Sequence, residues 1–255
     1  MSQTVHLEVC ANSVISALSA QKGGAVRVEL CENLSEGGTT PSYGEILVCR
    51  KLLHIKLYVL IRPRGGDFLY TDDEYNIMVE DVTHCIESGC DGIVIGILKE
   101  DGTVDKERCG KLVRMAKVMG VGVTFHRAFD MCRDMNQALE DIIDLGCERI
   151  LTSGGKSTAM EGFRVIAGLV EKAQGRIVIM PGSGINDHNV GDLVRFTGVT
   201  EVHASARVRV KSKMEYKNDR IIMGDNYGDE YMHSQTDVVV VQNIIKAANA
   251  GPPGA

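Results

Sequence analysis

Ionisable and thiol side chains recur at the far ends of short β-branched runs. Glu8 and Cys10 close HLEVC, and Arg27, Glu29 and Cys31 sit in RVELC. Arg62 follows LYVLI, His126 follows VTF, and His203 and Arg207 lie in EVHASAR. Carboxylates set among imidazoles suit general acid–base chemistry, with Glu8 or Glu29 as base and His126 or His203 as acid. Arg27 and Arg62 suit the holding of an anionic group. Cys10 and Cys31 each stand two residues past a glutamate, and a thiol pair favours a soft ion such as Cu(I) over Mg²⁺ or Ca²⁺. Packing of small buried residues is the competing explanation for both thiols.

Glycine-bearing turns add a second kind of chemistry. Gly154 in TSGG, Gly182 and Gly184 in MPGSGI, and Arg207 in SAR follow strand-like runs, where exposed backbone N–H groups can receive a phosphate or another anion. Arg62-Pro63-Arg64-Gly65-Gly66-Asp67 is a further cationic turn. Turn geometry alone also accounts for glycines after strands.

The elements that must carry these residues alternate. HLEVCAN, AVRVELCE, KLYVLIRP, GIVIGIL, VTFHRAF, RILTSG, IVIMPGSG and EVHASAR read as strands, separated by stretches of helical periodicity. Thr71, Asp134 and Asp187 are expected N-caps, and Gly89, Gly120 and Gly146 expected stops. Eight such units predict an α/β fold, a (β/α)8 TIM-type barrel in one domain over 1–255; a doubly wound sheet is the alternative. Parity along the strands then turns His6, Glu8, Cys10, Arg27, Glu29, Cys31, Tyr58, Leu60, Arg62, Thr124, His126, Glu201, His203, Ser205 and Arg207 inward. VTFHRAFD becomes the carboxyl end of the fifth strand, where active sites of this fold are built. Branched apolar side chains usually fill such a lumen, so a charged one points to a ligand, or else to an ion-pair network that closes the centre.

Bulk properties narrow the classes. The net charge of -6 argues against nucleic acid or an anionic membrane as partner. No apolar run approaches a membrane span, and MSQTVHLEV lacks the features of a secretory signal. Eight cysteines without a C-x-x-C pair read as reduced thiols of a cytosolic protein. Cys49, Cys85, Cys90 and Cys109 are expected in packing. Zinc is less supported, since a His126–His203 pair lacks a third ligand, and the eleven methionines form no copper-binding cluster. Residues 208–235 are a polar insertion before the last helix. It reads either as a surface loop or as a hairpin against a neighbouring subunit that covers Ile221, Ile222 and Met223. Short alternating pieces are expected at KMEYKN and RIIMG, and the tail 251–255 is expected to be disordered.

LEVCANS, RVELCENLSEGGTTPS, IRPRGGDFLY, VTFHRAFD, LTSGG, IVIMPGSGI and EVHASAR together resemble the CutC family, proteins named for copper homeostasis, and its animal members in particular. The resemblance runs in order over nearly the whole chain. It implies a TIM-type barrel, a homotetramer found in cytoplasm and nucleus, and one Cu(I) per subunit held by Cys10 and Cys31. It implies no established reaction.

Overall fold

The structure is a computed structural model that describes residues 4–218, 220–221 and 229–251. Ile222, Met223 and the tail 252–255 lie outside the described residues, whereas Ile221 is exposed.

Strands and helices alternate as the periodicity predicts. They run β1 (His6–Ala11), α1 (Val14–Gly23), β2 (Arg27–Leu30), α2 (Tyr43–Leu52), β3 (Lys56–Leu60), α3 (Asp72–Glu87), β4 (Gly92–Ile95) and α4 (Lys106–Val118). Then follow β5 (Gly122–Phe125), α5 (Met135–Leu145), β6 (Arg149–Thr152), α6 (Phe163–Ala173), β7 (Val178–Pro181), α7 (Val190–Thr197) and β8 (Glu201–Ala204). A hairpin of β9 (Arg207–Lys211) and β10 (Met232–Thr236) precedes α8 (Val238–Ala248). The parallel strands form one sheet in the order β7-β6-β5-β4-β3-β2-β1-β8, with β8 beside β1 and β7 approaching β8, so the sheet curls into a nearly closed (β/α)8 barrel.

Local chemistry fixes the helix starts. Thr71 and Glu74 form a reciprocal capping box at α3, and Asp134 accepts from the N–H groups of Asn136 and Gln137 at α5. Asp187 does not cap α7; Asn189 holds that place, because the chain makes an extra turn after Asn186 before the helix begins. Gly146 ends α5 in the left-handed region, where a side chain would be strained.

The apolar core lies between barrel and helices, with Leu7, Val9, Val28, Leu57, Ile93, Phe125 and Ile150 facing outward from the strands. A smaller lumenal cluster comprises Cys10, Cys31, Tyr58, Leu60 and Val94. Tyr58 reaches across the lumen over two glycines. A Cβ added at Gly92 would lie 2.1 Å from its ring, and one at Gly122 2.2 Å from its hydroxyl. Those glycines are the space in which the ring sits.

The insertion is a hairpin, but not where alternation suggested. RVRVK pairs antiparallel with MHSQT, whereas KMEYKN is not strand and RIIMG lies partly outside the described residues. Pairing wins at 207–211 and 232–236 because these residues adjoin β8 and α8, and Thr236 anchors to Ser16 and Ser205. No described helix is long and apolar enough to cross a membrane.

Candidate metal centre and barrel mouth

Register places the chemistry. In the ladder between β1 and β2, Glu8 pairs with Arg27 and Cys10 with Glu29, while Glu8 also lies level with His203 of β8. Alternate residues share one face of a strand, so these side chains stack in layers along the lumen.

The lower layer is a closed ion-pair network. Arg27 donates to both Glu8 and Glu201, Arg149 donates to Glu201 at 3.0 Å and to Glu148 at 2.8 Å, and the Tyr58 hydroxyl donates to Glu148 at 2.8 Å. Burial pushes the Glu8 carboxyl up, but Arg27 and His203 outweigh it and hold the group at about 2. Glu8 is therefore ionised and fully engaged. Neither Glu8 nor Arg27 lines the cavity above.

His203 joins the layers. Its Nδ1 lies 2.8 Å from Glu8 Oε1 and its Nε2 3.5 Å from Glu29 Oε2. Burial opposes its charge, but Cys10 and the two glutamates overcome that and raise its pKa well above the ordinary 6.5. It is an imidazolium held between carboxylates. Burial raises the Glu29 carboxyl instead, since its attraction to His203 is the weaker influence.

Above this stands the thiol pair. The Sγ atoms of Cys10 and Cys31 are 3.2 Å apart. With a Glu29 carboxylate oxygen they form a buried trio whose ligand atoms all lie within 4.8 Å of one another, the one such group of three found among the described residues. The hydrogen bond to Cys31 and burial raise the Cys10 pKa well above its ordinary value. The donor set, two sulfurs and one oxygen, fits a soft ion that displaces the thiol proton.

The trio opens into a cavity of about 520 Å³ at the carboxyl ends of the strands, lined also by Arg62, Phe68, His126, Arg127, Gly184, His203 and Arg207. His126 Nδ1 accepts from the Ala128 N–H at 3.1 Å, which caps the short 3₁₀ turn Arg127–Met131 and leaves the ring proton on Nε2. Burial and the nearby Arg62 charge push its pKa down to about 3, so the ring is neutral. Arg207 is exposed at the rim, at the start of the hairpin, because the backbone departs from the barrel at Ala206 with φ 47. His6 is likewise exposed, at the opposite end of β1.

Among the glycine turns, only Gly184 lines the cavity. The Gly154 N–H donates to Thr152 Oγ1 and the Gly182 N–H to the Thr152 carbonyl, so both are spent within the protein. The turn after β6 already holds an anion of its own. The Asp130 carboxylate accepts from the N–H groups of Ser153 and Gly155 and from the Thr152 and Ser153 hydroxyls, while Arg127 pairs with it at 2.8 Å. The RAFD end of VTFHRAFD thus serves to fasten the neighbouring turn. Phe68 was assigned no part from sequence; its ring lies 5.0 Å from the His126 ring and 5.2 Å from the Arg62 guanidinium carbon. The motif IRPRGGDF, with its aromatic after a glycine turn, was the signal. Cys49, Cys85, Cys90 and Cys109 are buried away from the mouth, where they pack.

The model of the CutC family matches residues 5–208. The human copper homeostasis protein cutC homolog is 48% identical over 239 residues, spanning 93% of this chain and 87% of the relative. A CutC family protein of Chromobacterium violaceum is 48% identical over 241 residues, spanning 94% and 97%. The solved structure of a CutC protein from Streptococcus agalactiae superposes with TM-score 0.75 at 37% identity, covering 79% of this chain and 99% of that one. A phosphoribosyl anthranilate isomerase from Thermotoga maritima, 13% identical with TM-score 0.57 over 96% of this chain and 98% of its own, shares the barrel alone. With a family match over most of its length and relatives near half identity, the chain belongs to the CutC copper homeostasis family.

Proposed function

We propose that the protein binds Cu(I) through Cys10 and Cys31 at the barrel mouth and buffers or passes on copper in the cytosol. The observation that carries this is the buried thiol pair, 3.2 Å apart, with Glu29 beside it. Two sulfurs select a soft monovalent ion, and the Glu29 carboxylate is placed to take up the proton released on binding. The human relative's description as a copper homeostasis protein points the same way. We further propose that the protein works as a homotetramer in cytoplasm and nucleus. An anaerobic Cu(I) titration against a competing chelator tests the site. The native chain should bind one copper, each of Cys10→Ser and Cys31→Ser should weaken it, and the double variant should lose it. Equal binding by all four proteins would overturn the proposal.

A second reading is favoured by the cavity, whose volume of about 520 Å³ far exceeds what an ion needs. In it the chain is an enzyme acting on a small anionic or phosphorylated molecule. Glu29 then serves as base and His203, or the neutral His126, as proton donor, with Arg62, Gly184 and Arg207 around the anion. Glu8 and Arg27, locked to each other beneath the cavity, hold His203 in place.

A further inference from the structure

We infer that the Arg62–His126 wall of the cavity is a subsite for the carboxylate or phosphate group of a small molecule, which lies with its other end against the thiols. This rests on the second reading above and gives it a ligand chemistry and a place.

The charge balance of the lumen is uneven. Arg27 and Arg149 are each paired with carboxylates. Arg62 is as buried as Arg27, at 5% exposure, yet among the described residues it has no carboxylate partner. Its guanidinium donates to the carbonyls of Glu36, Gly38 and Gly66 at 2.8, 2.6 and 2.8 Å. Carbonyl dipoles fix its position but bring no net charge. Its Nε is buried without a partner, and the Phe68 ring lies against it. A buried cation without a counter-charge is costly unless something supplies one.

His126 adds a donor with nothing to donate to. Because Nδ1 accepts from Ala128, Nε2 carries the proton, and Nε2 is buried without a partner. The cavity is thus left with an uncompensated buried arginine after β3 and a free imidazole N–H after β5. An anion of carboxylate or phosphate type satisfies both. The half-buried Phe68 ring lies against both Arg62 and His126 and lines the same cavity. This wall stands across the cavity from the turns after β7 and β8, where a glycine-turn anion site would lie.

The test is calorimetric titration of the full reduced chain at low ionic strength with two probes, inorganic phosphate and succinate. One of them should bind, and which one names the group. His126→Asn keeps an acceptor for the Ala128 N–H and removes the Nε2 proton; it should weaken binding about tenfold or more, the loss expected for a hydrogen bond to a charged group. Arg62→Met should weaken it at least as much. Should the first two variants fail to fold, ¹⁵N-histidine NMR of the native chain decides, because the His126 Nε2 resonance should move on addition of the bound probe. Binding with unchanged affinity in His126→Asn, or a stationary Nε2 resonance, overturns this inference while sparing the second reading, whose anion then belongs at the Gly184 turn. Binding of neither probe overturns both.

Discussion

The floor and the mouth of this barrel both bury arginine and glutamate and treat them oppositely. On the floor, Arg27, Arg149 and the His203 imidazolium answer Glu8, Glu201 and Glu148, with Tyr58 donating to Glu148. At the mouth, the thiols of Cys10 and Cys31, the Nε2 of His126 and the guanidinium of Arg62 are held in place, yet their chemistry is unspent. Buried charge that is internally complete closes a barrel. Buried charge that is incomplete awaits a ligand. His203, between Glu8 and Glu29, is the hinge between the regimes, because Cys10 of the mouth and Glu8 of the floor both favour its charged form.

The floor should fail as a scaffold fails. Arg27→Met removes the cation that Glu8 and Glu201 share and leaves the buried floor with excess negative charge, and breaking such a network costs about 3–5 kcal/mol, which urea unfolding at neutral pH would read. A loss under about 1 kcal/mol would make the network dispensable, against the penalty expected for unpaired buried charge.

His126 gives the mouth a signature in pH. The folded ring stays neutral down to a pKa of about 3, against an ordinary 6.5. Between those values the unfolded chain binds a proton that the folded one refuses, so stability contributed by this residue is present above pH 6.5 and falls as the solution is acidified toward 3. The shift corresponds to roughly 5 kcal/mol over the window. His126→Asn should flatten the acid limb of stability against pH by one proton; an unchanged slope would mean that the ring is not buried neutral.

Packing of the floor predicts a smaller effect. Gly92→Ala drives a methyl into the Tyr58 ring and should cost about 1–3 kcal/mol by overpacking, read as a lowered Tm. The same substitution at Gly44, where an added Cβ meets nothing within 4 Å, should not destabilise the chain. The smallest effect is expected at the thiols: Cys10→Ala, without metal, should shift stability by no more than about 1 kcal/mol, since the thiol is small and its one side-chain partner is the neighbouring Cys31 thiol.

Much of this was legible in the chain. Strand parity brought Glu8, Cys10, Glu29, Cys31 and His203 to one lumen because a period of two is rigid and adjacent parallel strands share a register. Contacts made by loops escaped. Asp130 and the TSGG turn are 23 residues apart along the chain at Ser153, and no periodicity links a carboxylate on one loop to N–H groups on the next. The turn therefore reads as an empty anion site when it is already filled. Phe68 and the exposed place of Arg207 escaped for the same reason, since both follow a strand end where the backbone is free to leave the barrel. Asp187 was a reasonable cap by type, but the extra turn moves the cap to Asn189.

The most direct test of an incomplete mouth over a complete floor is X-ray absorption of the chain loaded anaerobically with one equivalent of Cu(I). Two sulfur neighbours around the copper, lost in the Cys10→Ser/Cys31→Ser variant, is the result expected. A copper surrounded by nitrogen and oxygen alone, or a spectrum that the double variant leaves unchanged, would contradict the assignment of the thiol pair.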